Sequence, residues 1–417
     1  MGLDYFAEMK SMNFSQQRWI RIALLNLMIV ALIGVILRYK IAFYLPFIQQ
    51  KHLLHGHSHF AFAGWITQVL MTLLVGYLHI KKDDAAFSRY KWLLYANLLT
   101  AYGMLIAFPI EGYGPVSIVI STLSVFVSYV FGVKYWKDLN KLMIKDTAAR
   151  WFKGAVLFNA LSSLGAFALA FMMVNRISNQ NAYLAAEYFY LHFQYNGWFF
   201  FGCMGLLTAN LLHSGIPDVK LKEIFRLFAW ALVPAYLLST LWMKLPVWLY
   251  IIVIAAAIMQ VLALVKLIWL LKNKHKEIMG KAPRIAKNIL LLSAIALTVK
   301  LLLQLGSVVP SLSDLAFGFR PIVIGYLHLV LLGVISLFLI GYIFAEKLIP
   351  LSVIVKTGLI IFTGGILINE ILLMTQGVSA LSYILVPGIN EMLFGAALIM
   401  FSGLLCINLP GKSKHLR

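Results

Sequence analysis

Residues 52–79 read HLLHGHSHFAFAGWITQVLMTLLVGYLH, with four histidines in the first eight positions and an apolar run behind them. An α-helix rises 1.5 Å per residue, so about 20 apolar residues cross the roughly 30 Å of hydrocarbon in a bilayer. Comparable apolar runs recur along the whole chain. The stretch therefore predicts a membrane-spanning helix, and its recurrence predicts a polytopic integral membrane protein.

The composition of the whole chain indicates the same class of protein. Of the 417 residues, 62% are hydrophobic and 12% are charged, whereas about 25% of the residues in soluble domains are charged. Backbone groups inside lipid have no water to bond, so every span must be a helix. We therefore expect an all-α fold, a bundle of about twelve transmembrane helices in contact with the lipid bilayer.

Twelve spans can be placed on these apolar runs. They lie near residues 18–38, 52–79, 91–109, 114–136, 154–174, 184–212, 224–243, 247–271, 285–308, 320–345, 349–374 and 386–407. No long soluble insertion separates them, so we expect a single membrane domain over residues 18–407. An N-terminal segment at 1–17 and a basic tail at 408–417 flank this domain.

The distribution of lysine and arginine among the loops predicts the orientation. Loops at 81–91, 134–153, 213–226 and 272–287 and the tail at 411–417 are basic, whereas those at 111–115, 175–187, 310–319 and 376–387 are poor in Lys and Arg. One loop, with Arg38, Lys40 and Lys51, has the opposite bias. The positive-inside rule then places both termini in the cytoplasm, in a multi-pass protein of the inner (plasma) membrane. The N-terminal segment lacks a secretory cleavage site, so no targeting peptide is expected.

The net charge of +20 does not predict a nucleic-acid partner, because the basic residues lie mainly in alternate short loops, as membrane topology requires. The two cysteines, Cys203 and Cys406, lie far apart inside apolar runs. They are expected to be small core side chains rather than a disulfide or a thiolate metal site.

Five histidines from three spans fall at one depth of the membrane. His55, His57 and His59 lie in the opening turns of span two, His192 in the second or third turn of span six, and His328 in the third turn of span ten. All three spans begin on the outer side in this topology, which places the imidazoles roughly 5–12 Å below the outer boundary. A single membrane histidine is often only a hydrogen-bonding group between helices, but polar residues within spans are costly and tend to be functional. The shared layer therefore predicts a haem or metal site.

The spacing of the histidines in span two allows two kinds of site. Residues two apart on a helix point about 200° from each other, so His57 and His59 suit two flat cofactors on opposite sides of the span. His52, His55 and His59 instead share one face, where a zinc or copper ion is the alternative ligand.

The span layout, and the histidines in the outer parts of spans two, six and ten, resemble the haem–copper oxidase superfamily. The closest local likeness is to its nitric oxide reductase and cbb-type branch. Residues 57–65 (HSHFAFAGW) are similar to the H-x-H-hydrophobic-A-F-x-G-aromatic string of the family, which in the family belongs to span ten. Residues 326–331 (YLHLVL) resemble its span-ten H-x-H string, and residues 192–198 (HFQYNGW) resemble its span-six H-x-x-x-E-G segment.

This resemblance implies a low-spin haem held by His328 and by His59, or by His55, which competes for the same role. It implies that Tyr326 replaces a ligand of a second, high-spin haem, with His57 near any second cofactor. It also implies that His192 takes the place of a ligand to a non-haem metal.

The chain departs from the family at the second metal. Span seven (IFRLFAWALVPAYLLSTLWM, residues 224–243) has no histidine, and Asn196 stands where the reductases carry glutamate. One histidine in span six cannot hold copper or iron alone. A complete copper or non-haem iron site is therefore not expected, and one bis-histidine haem is the expected cofactor.

Three further ionisable residues lie within spans. Lys300 lies in span nine, Glu370 in span eleven and Glu391 in span twelve. Thr298-Val299-Lys300 is similar to the proton-path lysine segment of the family, one span earlier there. A lysine in the membrane needs a partner or a wet cavity, so the three residues are interpreted as a structural ion pair or a proton path.

The sequence thus favours a membrane haem protein that transfers electrons, or that senses or reduces a small gas such as NO or O₂. Reduction of the gas would make it a divergent oxidoreductase. A haem-free membrane protein that binds zinc or copper at 52–59 is the first alternative. A secondary transporter is the second, because twelve spans are common among transporters. The sequence does not identify an electron donor or a partner subunit.

Overall fold

The computed structural model describes residues 2–81, 83–143, 145–243, 245–273, 282–312 and 319–409, with side chains from residue 15 onward. Parts of the loops at 272–287 and 310–319, and the basic tail from residue 410, lie outside these ranges. The described residues form helices and connecting turns and contain no strand. The predicted all-α fold is confirmed.

Twelve long helical segments follow one another in the described residues. They are α1 (Gly2–Ala42), α2 (Gln50–Ile80), α3 (Ala86–Glu111), α4 (Pro115–Lys141), α5 (Thr147–Val174), α6 (residues 180–213), α7 (Asp218–Ala235), α8 (Val247–Asn273), α9 (Arg284–Gly306), α10 (Arg320–Ala345), α11 (Val353–Leu381) and α12 (Ile389–Asn408). A 3₁₀ turn, Tyr236–Thr240, follows α7. The helix α1 begins at Gly2, within the predicted N-terminal segment.

Ten of these segments are long and apolar enough to cross a bilayer, which indicates a membrane protein. The predicted spans at 184–212 and 224–243 correspond to α6 and α7, which do not meet that standard. The middle of α6 is polar but buried, since every residue from His192 to Leu206 is covered by protein. The first turns of α7 carry charged residues, beginning with Asp218. The count of twelve spans therefore stays a prediction.

The chain folds into two compact units. Unit 1 consists of Met1–Val127, Ala282–Leu292 and Ser336–Arg417, and unit 2 consists of Ser128–Lys281 and Ser293–Ile335. The single membrane domain expected over residues 18–407 stays a prediction.

The core of unit 1 is built around α2. In the most apolar stretch of α2, 94% of the residues are buried inside the protein. This helix is therefore surrounded by other helices rather than by lipid. A second feature of unit 1 is the close pair formed by α11 and α12. A Cβ added to Gly358 would lie 2.6 Å from the Gly403 carbonyl oxygen, so the two backbones meet at these glycines.

Unit 2 is organised in the same way around α6. The ring of Trp151 on α5 lies edge-on to Phe201 of α6, with centroids 4.6 Å apart, and to Phe225 of α7, at 5.0 Å. Such aromatic contacts stabilise a packed interior beyond the burial of their area. Each unit thus has one histidine-bearing helix at its centre.

Candidate functional site

The two histidines of the H-x-H string contact different helices. The ring of His57 lies against Gly34 of α1, where an added Cβ would be 3.5 Å from His57 Cε1. The ring of His59 stacks on Phe108 of α3, with centroids 4.2 Å apart and an interplanar angle of 10°. His59 Nε2 also lies 3.3 Å from the Tyr113 hydroxyl. The opposite orientation predicted from the two-residue spacing is therefore found.

His52 and His55 lie on the His59 side of α2, beside the end of α3. The ring of His55 is edge-on to Tyr113, with centroids 4.6 Å apart. Gly112 ends α3 with a φ of 64°, and a Cβ at Gly112 would lie 2.6 Å from His52 Nε2, so a side chain there would collide with this ring. On this side of α2, His52 Nδ1 and His55 Nε2 are buried and have no hydrogen-bond partner among the described residues. Buried polar atoms are normally paired, so these two are the atoms a ligand would satisfy.

All three histidine-bearing helices change from α to π geometry directly after the histidine. The π segments are Ala61–Thr67 in α2, Phe193–Phe199 in α6 and Leu329–Ser336 in α10. The first begins two residues after His59, and the others begin at the residue after His192 and after His328. π geometry is rare and occurs frequently at functional sites. The same backbone feature thus follows a histidine in each of the three helices.

A sequence repeat accompanies the π segments. Residues 59–65 read HFAFAGW, residues 192–198 read HFQYNGW and residues 328–334 read HLVLLGV, with a glycine five positions after each histidine. An added Cβ on Gly197 would lie 2.6 Å from Phe158 Cβ, and one on Gly333 would lie 3.2 Å from Ala296 Cβ. This shared spacing is an internal repeat of the sequence, which the individual histidine positions do not reveal.

Buried amides hold the π segment of α2 in place. Asn26 of α1 donates to the Gly64 carbonyl at 2.6 Å, and Asn97 of α3 donates to the Ala63 carbonyl at 3.0 Å. A change from α to π geometry displaces backbone carbonyls from their usual partners, and buried carbonyls need replacements. Trp65 within the segment donates from Nε1 to the Ser336 hydroxyl at 2.9 Å. The segment is therefore anchored from three directions within unit 1.

We expect Asn26→Leu to lower the free energy of unfolding by about 1–3 kcal/mol. The change leaves the Gly64 carbonyl and the Tyr102 hydroxyl, which donates to Asn26 Oδ1 at 2.8 Å, without their buried partner. Thermal unfolding of the detergent-purified protein measures the effect. Tyr102→Phe is the control, because it removes only the bond from the Tyr102 hydroxyl to Asn26 Oδ1. Its loss in free energy of unfolding should be smaller than that of Asn26→Leu. Because both changes affect one network, the double variant should cost less than the sum of the two; full additivity would contradict this account.

In unit 2, both ring nitrogens of His192 have protein partners. Nε2 lies 2.9 Å from the Leu232 carbonyl oxygen, so Nε2 carries the proton and donates. Nδ1 then accepts from Asn196 Nδ2 at 3.1 Å. Asn196 Oδ1 in turn accepts from Lys300 Nζ at 2.6 Å. A metal at His192 would have to displace one of these bonds.

The ring of His328 has the opposite arrangement. Nδ1 lies 2.8 Å from the carbonyl oxygen of Ile324, one turn earlier in α10, so Nδ1 carries the proton and donates. The lone pair is then on Nε2, as in metal-ligating histidines whose other nitrogen donates to a backbone carbonyl. Tyr326 is half-buried on the same helix, and at two residues from His328 its side chain projects in a different direction.

The predicted partners of Lys300 belong to the other unit. Glu370 and Glu391 lie in unit 1, and Lys300 lies in unit 2. Glu370 accepts from Asn369 Nδ2 at 3.2 Å, and Glu391 is exposed in the first turn of α12. Within unit 2, Lys300 donates to Asn196. An ion pair or proton path through the two glutamates stays a prediction.

No group of three or more His, Cys, Asp or Glu side chains is arranged to hold a metal ion among the residues that the structure describes. His52, His55 and His59 thus share a side of α2 without forming a three-ligand cluster. Comparison with protein-family models and with curated proteins gives no match to this chain.

Proposed function

We propose that this chain is a membrane haem protein, in which His55 is the candidate ligating histidine of unit 1 and His328 that of unit 2. The observation that carries the proposal is the Nε2 atom of His55, which is buried and has no hydrogen-bond partner in the part of the chain that the structure describes. A buried nitrogen left unpaired costs free energy, and coordination to iron would satisfy it. His59, the competing residue in the sequence, already has Tyr113 beside its Nε2.

The tautomer of His328 supports the same proposal. The bond from Nδ1 to the Ile324 carbonyl holds the ring and directs the lone pair to Nε2. Outer partners of this kind orient ligating histidines and raise their basicity. The π segments after the histidines add support, because such segments are frequent at functional sites.

A haem bound by this chain would supply electron transfer or the binding of a small gas such as NO or O₂. The chain's own contribution is orientation and exclusion of water. Phe108 and Tyr113 pack on the rings of His55 and His59, and the Asn26 and Asn97 amides hold the π segment one turn further along α2. These contacts would hold the His55 ring in one orientation.

The test is the visible spectrum of the oxidised and dithionite-reduced protein, purified in detergent from cells grown with adequate haem. We expect sharp reduced-haem bands in the wild type and their loss in His55→Ala and in His328→Ala. His213→Ala, which replaces an exposed histidine, is the matched control and should keep the bands. Loss of the bands in His59→Ala, with the bands retained in His55→Ala, would identify His59 instead of His55 as the ligand. A colourless wild-type protein would contradict the proposal.

A second candidate function is binding of zinc or copper without haem. It is favoured by the two unpartnered nitrogens on one side of α2, His52 Nδ1 and His55 Nε2. Elemental analysis separates the two candidate functions. Metal binding without haem predicts a stoichiometric amount of zinc or copper in a protein that lacks haem bands, and loss of that metal in His52→Ala and in His55→Ala. Water or a further residue would have to complete the coordination.

A further inference from the structure

The amino group of Lys300 is buried in unit 2, and none of the carboxylates in the described ranges pairs with it. The residue is 5% exposed, and its Nζ donates to Asn196 Oδ1 at 2.6 Å. No ion pair involving Lys300 is found within the described part of the chain. A lysine inside a membrane protein is costly unless it is paired or hydrated, so Lys300 needs more than one amide oxygen.

A small cavity next to Lys300 offers that hydration. Its volume is about 10 Å³, and Lys300, Asn196 and Gln260 contribute its polar lining, with Phe200, Phe228 and Leu232 among its apolar lining. A space of about this size holds roughly one water molecule. Gln260 is 4% exposed, and its Oε1 is buried without a hydrogen-bond partner. One water that accepts from Lys300 and donates to Gln260 Oε1 would satisfy both groups.

The hydrogen bonds around His192 run in one direction and start from this lysine. Lys300 donates to Asn196, Asn196 donates to His192 Nδ1, and His192 donates from Nε2 to the Leu232 carbonyl. Both nitrogens of the ring are therefore in use, and the Lys300 amino group lies at the head of the chain. A metal cation at His192 would meet two ring nitrogens that are already hydrogen-bonded. A protonated Lys300 beside it would also repel the cation.

We propose that the Lys300 ammonium group, hydrated by one water shared with Gln260, is the resident cation of the His192 site, which accordingly takes no metal ion. The site then differs from the metal position that the family resemblance implies for His192. This inference is independent of the haem proposal, because its residues all belong to the His192 network and cavity of unit 2.

The first test is a metal-loading comparison of the full-length protein and its His192→Gln variant. Both are equilibrated with Co²⁺ or Cu²⁺ in detergent, desalted and analysed for the added metal. We expect equal metal content in the two proteins. One equivalent that the wild type retains and His192→Gln loses would overturn the proposal.

The second test measures the charge at the cavity by a double-variant cycle. Gln260→Glu keeps the shape of the side chain and places a carboxylate beside the cavity, and Lys300→Met removes the ammonium group at similar length. We expect Gln260→Glu to lower the midpoint of thermal unfolding less in the wild-type background than in the Lys300→Met background. Only the wild-type background retains the Lys300 ammonium group that can pair with the new carboxylate. An equal shift in both backgrounds would overturn the proposal. Should Lys300→Met fail to fold, the metal comparison decides alone, because it leaves Lys300 in place.

Discussion

Asn196→Leu is expected to lower the free energy of unfolding by roughly 3 kcal/mol or more, because it leaves two buried polar groups without their hydrogen-bond partner, at about 1–3 kcal/mol each and more for a charged group. Asn196 is 3% exposed and bonds both Lys300 Nζ, at 2.6 Å, and His192 Nδ1, at 3.1 Å. Leucine fills similar space but cannot bond either group. Denaturant titration of the detergent-purified protein, followed by tryptophan fluorescence, measures the change.

Asn175→Leu is the matched control for this prediction. It makes the same substitution in the same unit, at an exposed residue whose amide donates to the Phe171 carbonyl of its own helix. We expect a loss of about 1 kcal/mol or less there, as for an ordinary helix-end bond. Similar losses in the two variants would contradict the account of the Lys300–Asn196–His192 network.

Gly403→Val is expected to destabilise unit 1 by about 3 kcal/mol or more, at or above the usual range for overpacked sites. A Cβ on Gly403 would lie 2.8 Å from both the Gly358 carbonyl oxygen and Phe362 Cα on α11. These are backbone atoms, which cannot rotate away as the end of a side chain can. The two helices would have to separate, which breaks the contact along the whole pair. Thermal unfolding of the purified protein checks the prediction.

Gly395→Val on the same helix is the control for Gly403→Val. A Cβ at Gly395 would meet no atom within 4 Å. The same change of residue there should leave the unfolding midpoint nearly unchanged, because valine is apolar and is well tolerated in membrane-spanning helices. A comparable loss at both positions would show that the effect comes from valine in α12 and not from the contact with α11.

The helices of this protein could be predicted from the sequence because a span needs about 20 apolar residues and the bilayer permits only closed backbone hydrogen bonding. The prediction is weakest at α6 and α7. Residues 192–198 (HFQYNGW) are polar for a span, yet they lie in a fully buried stretch of α6. A helix that is covered by other helices needs no lipid-facing surface, so its hydropathy alone does not determine whether it spans the membrane.

The candidate site could be predicted in part, because helical periodicity determines the direction in which each side chain points. The helical period requires His57 and His59 to face apart, and they contact Gly34 and Phe108 on different helices. The period cannot say which imidazole nitrogen is engaged. His192 and His328 have similar sequence surroundings but different hydrogen bonds. Both ring nitrogens of His192 bond to protein groups, whereas His328 donates from Nδ1 to a backbone carbonyl.

The sequence by itself determined that the chain is helical and apolar, which segments become helices, and that a histidine precedes a glycine by five positions in three of them. These features depend on local hydrogen bonding and on the transfer of apolar surface from water, which act along the chain. Only the tertiary structure decided that Asn196 joins Lys300 to His192, and that His55 Nε2 is buried without a partner. Those outcomes depend on which distant side chains are brought within hydrogen-bond distance, and that is determined by helix packing in three dimensions.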